Sequence, residues 1–494
     1  MTTIPSYGYG ALATQSADGT FRSLKAQLTD LQAQLTSGQK AATYAGLGAD
    51  AIRSLSGRAT LAAIEAYASN VQGGQLRLNV MSTGLDQIDK IARSLTVSLS
   101  DNYESTPIGQ TSAIVSAEDG MKQVLDILGT QIEGRYLYSG RAATQDPVAS
   151  YDLIVNGDTT RAGLKQMIAE RREADLGADG LGRMTLSDTA TGITVSEEAA
   201  GLPFGMKIGA ASATGSALTA SASGGAATLA VTSQPAAGDS LSLSLKLPDG
   251  STTTLTFTAG GDSKDGTTGF AIGADAAETA ANLQNAVRGA IGTVARDKLP
   301  AASALGASQA FFAGSPSNPP LRVAGPPYAS ATATVPGTAA DTVIWYQGDD
   351  AAGSARETAP VRTGDGSSVA LGARANEPGF QAVLAALGAL VGQDFPAGSD
   401  EAKQRYAATA DAIADSVGDG VKSIVVDFSV AKASLGAASD RLGIARAQVT
   451  DTLAGIENAD PNEVAVQLLA TQTRLQASYQ TTSAISKLSL VNFL

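Results

Sequence analysis

Any chemistry in this 494-residue chain must be built without cysteine or histidine, because it contains neither. That removes thiolate nucleophiles, Ser–His dyads, thiolate or imidazole zinc sites, haem histidine and iron–sulfur ligation. Carboxylate, lysine and tyrosine chemistry remain. The carboxylates to weigh are the Asp349–Asp350 pair with Asp146, Asp158, Asp249 and Asp265. Most stand beside Gly or Pro, where Asp caps turns, and no pair of acids stands out as a glycosidase would need. Gly177, Gly180 and Gly182 are closely spaced, but they lack a preceding apolar strand and do not satisfy a dinucleotide fingerprint, so they mark a loop. Trp345 and Tyr346 fall in an expected strand, where packing is their ordinary role. No constellation names a reaction, and the expectation is a non-enzyme with no cofactor and no metal site.

Composition narrows the partners. Acidic residues outnumber basic ones 47 to 34, and the net charge of −13 argues against a nucleic-acid partner, which clustered Lys and Arg would be needed to hold. Aromatics are only 5% and Gly numbers 54, so the 43% apolar content is mostly Ala, Leu and Val. No stretch approaches the length of an apolar membrane span. Met1 to Ser16 shows neither a basic n-region nor an apolar h-region, so no Sec-type signal peptide is expected.

The elements come from periodicity. Phe21, Leu24, Leu28, Leu31 and Leu35 alternate three- and four-residue steps, the narrow seam of a coiled coil. After a break at Ser37–Gly38, the same spacing runs through Val71, Gly74, Leu78, Met81, Leu85, Ile88, Ala92, Leu95 and Leu99. Asp101–Asn102, Pro107 and Gly109 should end that helix, and Ile114, Ala117, Met121, Leu125 and Leu128 begin its antiparallel partner. Near the other end, Val421, Ile424, Phe428, Ala431, Leu435, Ala438, Leu442, Ala445 and Val449 hold the alternation. Asp460-Pro461-Asn462-Glu463 then reads as an N-cap, a proline in the first turn and a capping box opening a last helix. That helix carries Val464, Leu468, Leu475, Tyr479, Thr482, Ile485 and Leu488.

Between the helical zones the chain is rich in Gly, Thr, Ser, Ala and Pro. Leu241, Leu243, Leu245 and Leu247, a Pro248-Asp249-Gly250 turn, then Leu255 and Phe257 spell an antiparallel hairpin. A helix is expected over Asp275–Val294, and strands at Leu153–Val155, Ile193–Val195, Val343–Trp345 and Val369–Leu371. Ala210 to Gly225 and Ala331 to Ala340 read as exposed loops or edges. The expected fold class is α+β: long N- and C-terminal helices pairing as a coiled-coil stem, with a β-rich insertion between them. The regions are 1–141, 142–375 (surface-exposed, one or two subdomains) and 376–494.

Gly134-Arg135-Tyr136-Leu137-Tyr138-Ser139-Gly140 resembles the helix-to-β junction of flagellar hook-filament junction proteins, the third hook-associated protein of the flagellin superfamily. Leu475-Gln476-Ala477-Ser478-Tyr479-Gln480, Ile485-Ser486-Lys487-Leu488-Ser489-Leu490 and the ending Asn492-Phe493-Leu494 are similar to that family's last helix. Leu31-Gln32-Ala33-Gln34-Leu35-Thr36-Ser37-Gly38 is similar to the superfamily's first. Gln39 to Gly48 departs from the acidic Ser-Asp-Asp-Pro-like run common at that point, while an ending without a basic residue favours the junction protein over a filament flagellin. The resemblance implies an extracellular structural subunit of the bacterial flagellum, exported unfolded through the flagellar secretion channel. Its implied partners are copies of itself in a ring, a neighbouring hook-associated protein and flagellin, and an export chaperone. It also implies an assembly interface at Leu24, Leu28, Leu31, Leu35, Leu468, Leu475, Tyr479, Ile485, Leu488 and Phe493. The alternatives are a filament-forming flagellin and, from the Ser/Thr/Gly-rich middle, a surface adhesin.

Overall fold

A computed structural model describes residues 9–99, 112–262, 267–396, 399–416 and 420–491. The fold is mixed α+β, with long helices towards both ends of the chain and the strands between them. Its helices are α1 (Tyr9–Ser37), α2 (Ala51–Leu99), α3 (Ser112–Leu128), α4 (Tyr151–Asn156), α5 (Leu164–Leu176), α6 (Ala276–Thr293), α7 (Leu299–Phe312), α8 (Pro378–Val391), α9 (Asp400–Ser416), α10 (Gly420–Glu457) and α11 (Pro461–Val491). Contacts group the described residues into two compact units, one within Met1–Gly73, Arg362–Ser367 and Leu435–Leu494, the other within Gly74–Val361 and Ser368–Ser434. The expected stop at Asp101–Asn102, Pro107 and Gly109 lies outside the described residues, as do Asp265 and Phe493.

The first unit is helical. α1 stops where Gly38 takes φ +68° and returns its N–H to Gln34 O at 2.8 Å, a C-terminal cap that favours glycine. A short 3-10 stretch, Tyr44–Asp50, leads into α2. The first part of α2 runs antiparallel to the end of α10. Arg446 Nη2 lies 3.4 Å from Glu65 Oε1, and a Cβ on Gly57 would stand 2.8 Å from Leu453 Cδ2, so positions advance along one helix as they retreat along the other. α11 starts at Pro461, where Asp460 Oδ1 accepts from Asn462 N at 2.8 Å and Glu463 N at 3.4 Å. The return arm of a capping box is replaced: Glu463 Oε1 accepts from Gln467 Nε2 at 3.0 Å. α1 packs along α11, with the Phe21 and Tyr479 rings edge to face at 4.6 Å.

In the second unit, Leu78, Met81, Leu85, Ile88, Ala92, Leu95 and Leu99 of α2 are buried, as are Ile114, Ala117, Met121, Leu125 and Leu128 of α3. The two helices meet antiparallel and close, because Gly84 and Gly120 leave room for Ile127 and Ile91. α3 leads into β1 (Gln131–Ile132) and β2 (Arg135–Tyr136), joined by Glu133 and Gly134 at φ +52° and +74°, the left-handed pair of a two-residue hairpin. Beyond it, Tyr138 is buried, donates to Met81 O at 3.2 Å and stands edge-on to Phe380 at 5.6 Å.

The sheets follow: β3 (Met184–Thr189), β4 (Gly192–Glu197), β5 (Lys207–Thr214), β6 (Leu218–Ser223), β7 (Ala226–Val231), β8 (Ser240–Lys246), β9 (Thr252–Ala259) and β10 (Thr267–Phe270). They form two four-stranded sheets, ordered β3-β4-β7-β6 and β10-β9-β8-β5, antiparallel except β10 on β9. The hairpin expected at Leu241–Phe257 is β8–β9, with Leu243 opposite Leu255 and Gly250 at φ +88° in its turn. Ala210 to Gly225 supplies most of β5 and β6, each an edge strand. α6 carries Leu283, Val287 and Ile291 into the apolar core formed with both sheets. Asp275 caps it by accepting from Glu278 N at 2.8 Å. β11 (Leu321–Val323) pairs antiparallel with β12 (Thr334–Pro336), and β13 (Pro360–Gly364) and β14 (Ser367–Ala370) follow.

Two expected strands are not strands. Leu153–Val155 lies in α4: Asp152 favours its first turn, Gly157 at φ +71° stops it, and Ile154 and Val155 are buried. Val343–Trp345 joins no ladder, being held by single bonds such as Val343 N to Ala162 O at 3.0 Å. The insertion also contains α5 and α7.

Candidate assembly interface

The seam positions of the terminal helices divide by depth. On α1, Leu31 is buried, Leu24 and Leu28 are half-buried, and Leu35 is exposed. On α11, Val464 and Thr471 are buried, Leu468 and Leu475 half-buried, and Tyr479 is 55% exposed despite its ring contact. Ile485 and Leu488 lie on the α11 backbone, but their side chains fall outside the described residues. The α1–α11 pair thus brings seam residues of the two chain ends together and leaves part of both seams uncovered. Two helices packed along one stripe cannot enclose it, because each side chain needs neighbours on several sides to lose its solvent.

Further apolar side chains of the same unit are exposed, on three different helices. Val466 and Leu469 of α11, Ile52 and Leu55 of α2 and Ile444 of α10 are each at least half exposed, with Ile52 at 78%. The seam read from the sequence on α11 does not include Val466 and Leu469. The signal was present as their offset from the seam, which a two-in-seven template discards.

The carboxylates behave as turn and ion-pair groups. Asp158 accepts from Thr160 N and Arg161 N, and the Arg161 guanidinium, then those N–H groups, hold its carboxyl well below the ordinary value. Asp249 accepts from Ser251 N and Oγ, and Asp146 from Val148 N. Partial burial pushes the Asp349 carboxyl up, but Arg141 N, Ala351 N and the Arg374 guanidinium at 3.1 Å outweigh it and hold it low. Asp350 accepts from Ser317 N at 2.7 Å and is likewise held low against its burial. Gly177, Gly180 and Gly182 all have φ near +70°, a tight loop after α5. Trp345 and Tyr346 are fully buried: Trp345 Nε1 donates to Phe312 O at 2.9 Å and Tyr346 Oη to Asp349 O at 2.8 Å. Among the described residues no group of three or more carboxylates could hold a metal ion.

Three buried polar clusters had no sequence signal. Arg183 donates to Ala174 O and Ala331 O. Glu170 pairs with Arg322 and accepts from Tyr328 Oη, and Asp175 takes Arg171 Nε at 2.8 Å and Gly205 N at 2.8 Å. Each ties a segment distant in sequence to α5, and each charge has an ionic partner, Glu198 at 3.1 Å in the case of Arg183, the condition under which a buried ion is tolerated.

No family model and no curated protein matches this chain.

Proposed function

We propose that this chain is a structural, non-enzymatic subunit of the bacterial flagellum that joins hook to filament. The single observation that carries this reading is the incompletely covered seam of α1 and α11, with Val466 and Leu469 also exposed on α11. In the proposed role the terminal helices form a coiled-coil stem whose open faces meet neighbouring copies in a ring, while the insertion faces outwards. Burying Leu, Val and Ile at about 25 cal/mol per Å² offsets the entropy of ordering both ends. The motifs Gly134–Gly140 and Leu475–Leu490 support the choice of family, and export through the flagellar channel with a chaperone follows from that choice.

The test is quantitative mass spectrometry of sheared flagella. One ring of this chain per filament supports the junction role, near-parity with the main filament subunit makes it a flagellin, and absence from flagella overturns the reading. Leu475→Asp should abolish incorporation and leave the two four-stranded sheets folded.

A further inference from the structure

The two chain reversals of the helical unit are fastened to each other. Between α1 and α2 the chain passes through Gly38, Gln39 and Lys40; between α10, which ends at Glu457, and α11 it passes through Asn458, Ala459 and Asp460. Lys40 N donates to Glu457 O at 2.7 Å, Ala459 N donates to Gly38 O at 2.9 Å, and Gln39 bridges Asn458 as in an antiparallel ladder. Lys40 Nζ donates to Gly455 O at 2.6 Å, near the C-terminal end of α10, where a cation also meets the negative end of the helix dipole.

One side chain centres this arrangement. The Glu457 carboxylate accepts from Ser54 Oγ at 2.5 Å, from Arg58 Nε at 2.8 Å and from Arg58 Nη2 at 2.6 Å, a two-pronged guanidinium pair completed by a hydroxyl. Ser54 is fully buried, and the Glu457 side chain is only 16% exposed. The Arg58 guanidinium, then Ser54, hold the Glu457 carboxyl below its ordinary value, so it is ionised at neutral pH. A helix end needs no such lock to stop; a glycine or a polar cap suffices. Here three donors on one carboxylate stand beside a backbone bridge between the two reversals from which α1 and α11 leave α2 and α10.

We propose that Glu457, with Arg58 and Ser54, is a positioning residue that sets the orientation of the terminal helix pair. The inference rests on the assembly reading in that the pair so aimed is the proposed contact with neighbouring copies.

The chain has no cysteine, so Ala33→Cys on α1 and Ala62→Cys on α2, both exposed sites, carry spin labels without background. Pulsed electron resonance on the full chain should give one narrow distance distribution. Glu457→Ala and Arg58→Ala should lose that narrow peak, and the swap Arg58→Glu with Glu457→Arg should restore it. If Glu457→Ala also lowers the helical circular dichroism, the isosteric Glu457→Gln gives the same reading in a folded chain. An unchanged narrow peak in folded Glu457→Ala or Glu457→Gln overturns the proposal. The distances read the orientation whether or not the chain occurs in flagella. If it does, Glu457→Ala should also lose incorporation, and normal incorporation by a chain with a broadened distribution overturns the link to assembly.

Discussion

Residues 74–99 of α2 and residues 21–35 of α1 carry the same alternation of three- and four-residue steps, yet they end in different environments. In the first stretch Leu78, Leu85 and Ile88 lose all their exposure; in the second only Leu31 is buried and Leu35 keeps 46%. Spacing determines which side chains share a stripe, and the number of elements laid over that stripe determines whether they leave water. The α2 stretch is covered in part by α3, which α8 backs in turn. The α1 stretch lies on α11 and keeps an open side.

That contrast has measurable consequences. The largest is in the covered seam: Leu85→Ala should lower stability by about 2–5 kcal/mol, read as a shift in the urea midpoint. Next comes Gly84→Ala, at about 1–3 kcal/mol of destabilisation, because the new methyl would stand 2.7 Å from Ile127 Cγ2. The matching truncation in the open seam, Leu28→Ala, should cost about 1 kcal/mol or less in the free chain. A cost equal to that of Leu85→Ala would erase the contrast. The smallest effect should have the opposite sign. Gly73→Ala, on the same helix as Gly84, meets nothing within 4 Å and should stabilise by about 0.5–1 kcal/mol through helix propensity, seen as a rise in Tm.

Local signals were legible in the sequence, and those needing distant partners were not. The Asp460 cap and the Pro248-Asp249-Gly250 turn depend on a few consecutive residues, and both stand where they were expected. Leu153–Val155 was misread because a short apolar run between Ser150 and Gly157 fits a strand or a buried helical turn equally well. α7 left no periodic trace, since Ala301, Ala302, Ala304, Ala307 and Phe311 bury it nearly all round. The Ser54–Arg58–Glu457 lock joins positions some 400 residues apart in sequence, with no pattern at either end to announce the other. Of the proposed assembly surface, the α1 and α11 seams were readable from spacing, whereas their degree of exposure depends on which helices lie over them.

The most direct test is amide hydrogen exchange on the full chain, free in solution and within sheared flagella. In the free chain, residues 21–35 and 464–479 should exchange much faster than residues 78–95, and in the assembled state they should slow towards the same protection. Equal protection of both regions in the free chain, or no slowing on assembly, would contradict the account of α1 and α11 as seams completed by neighbouring molecules.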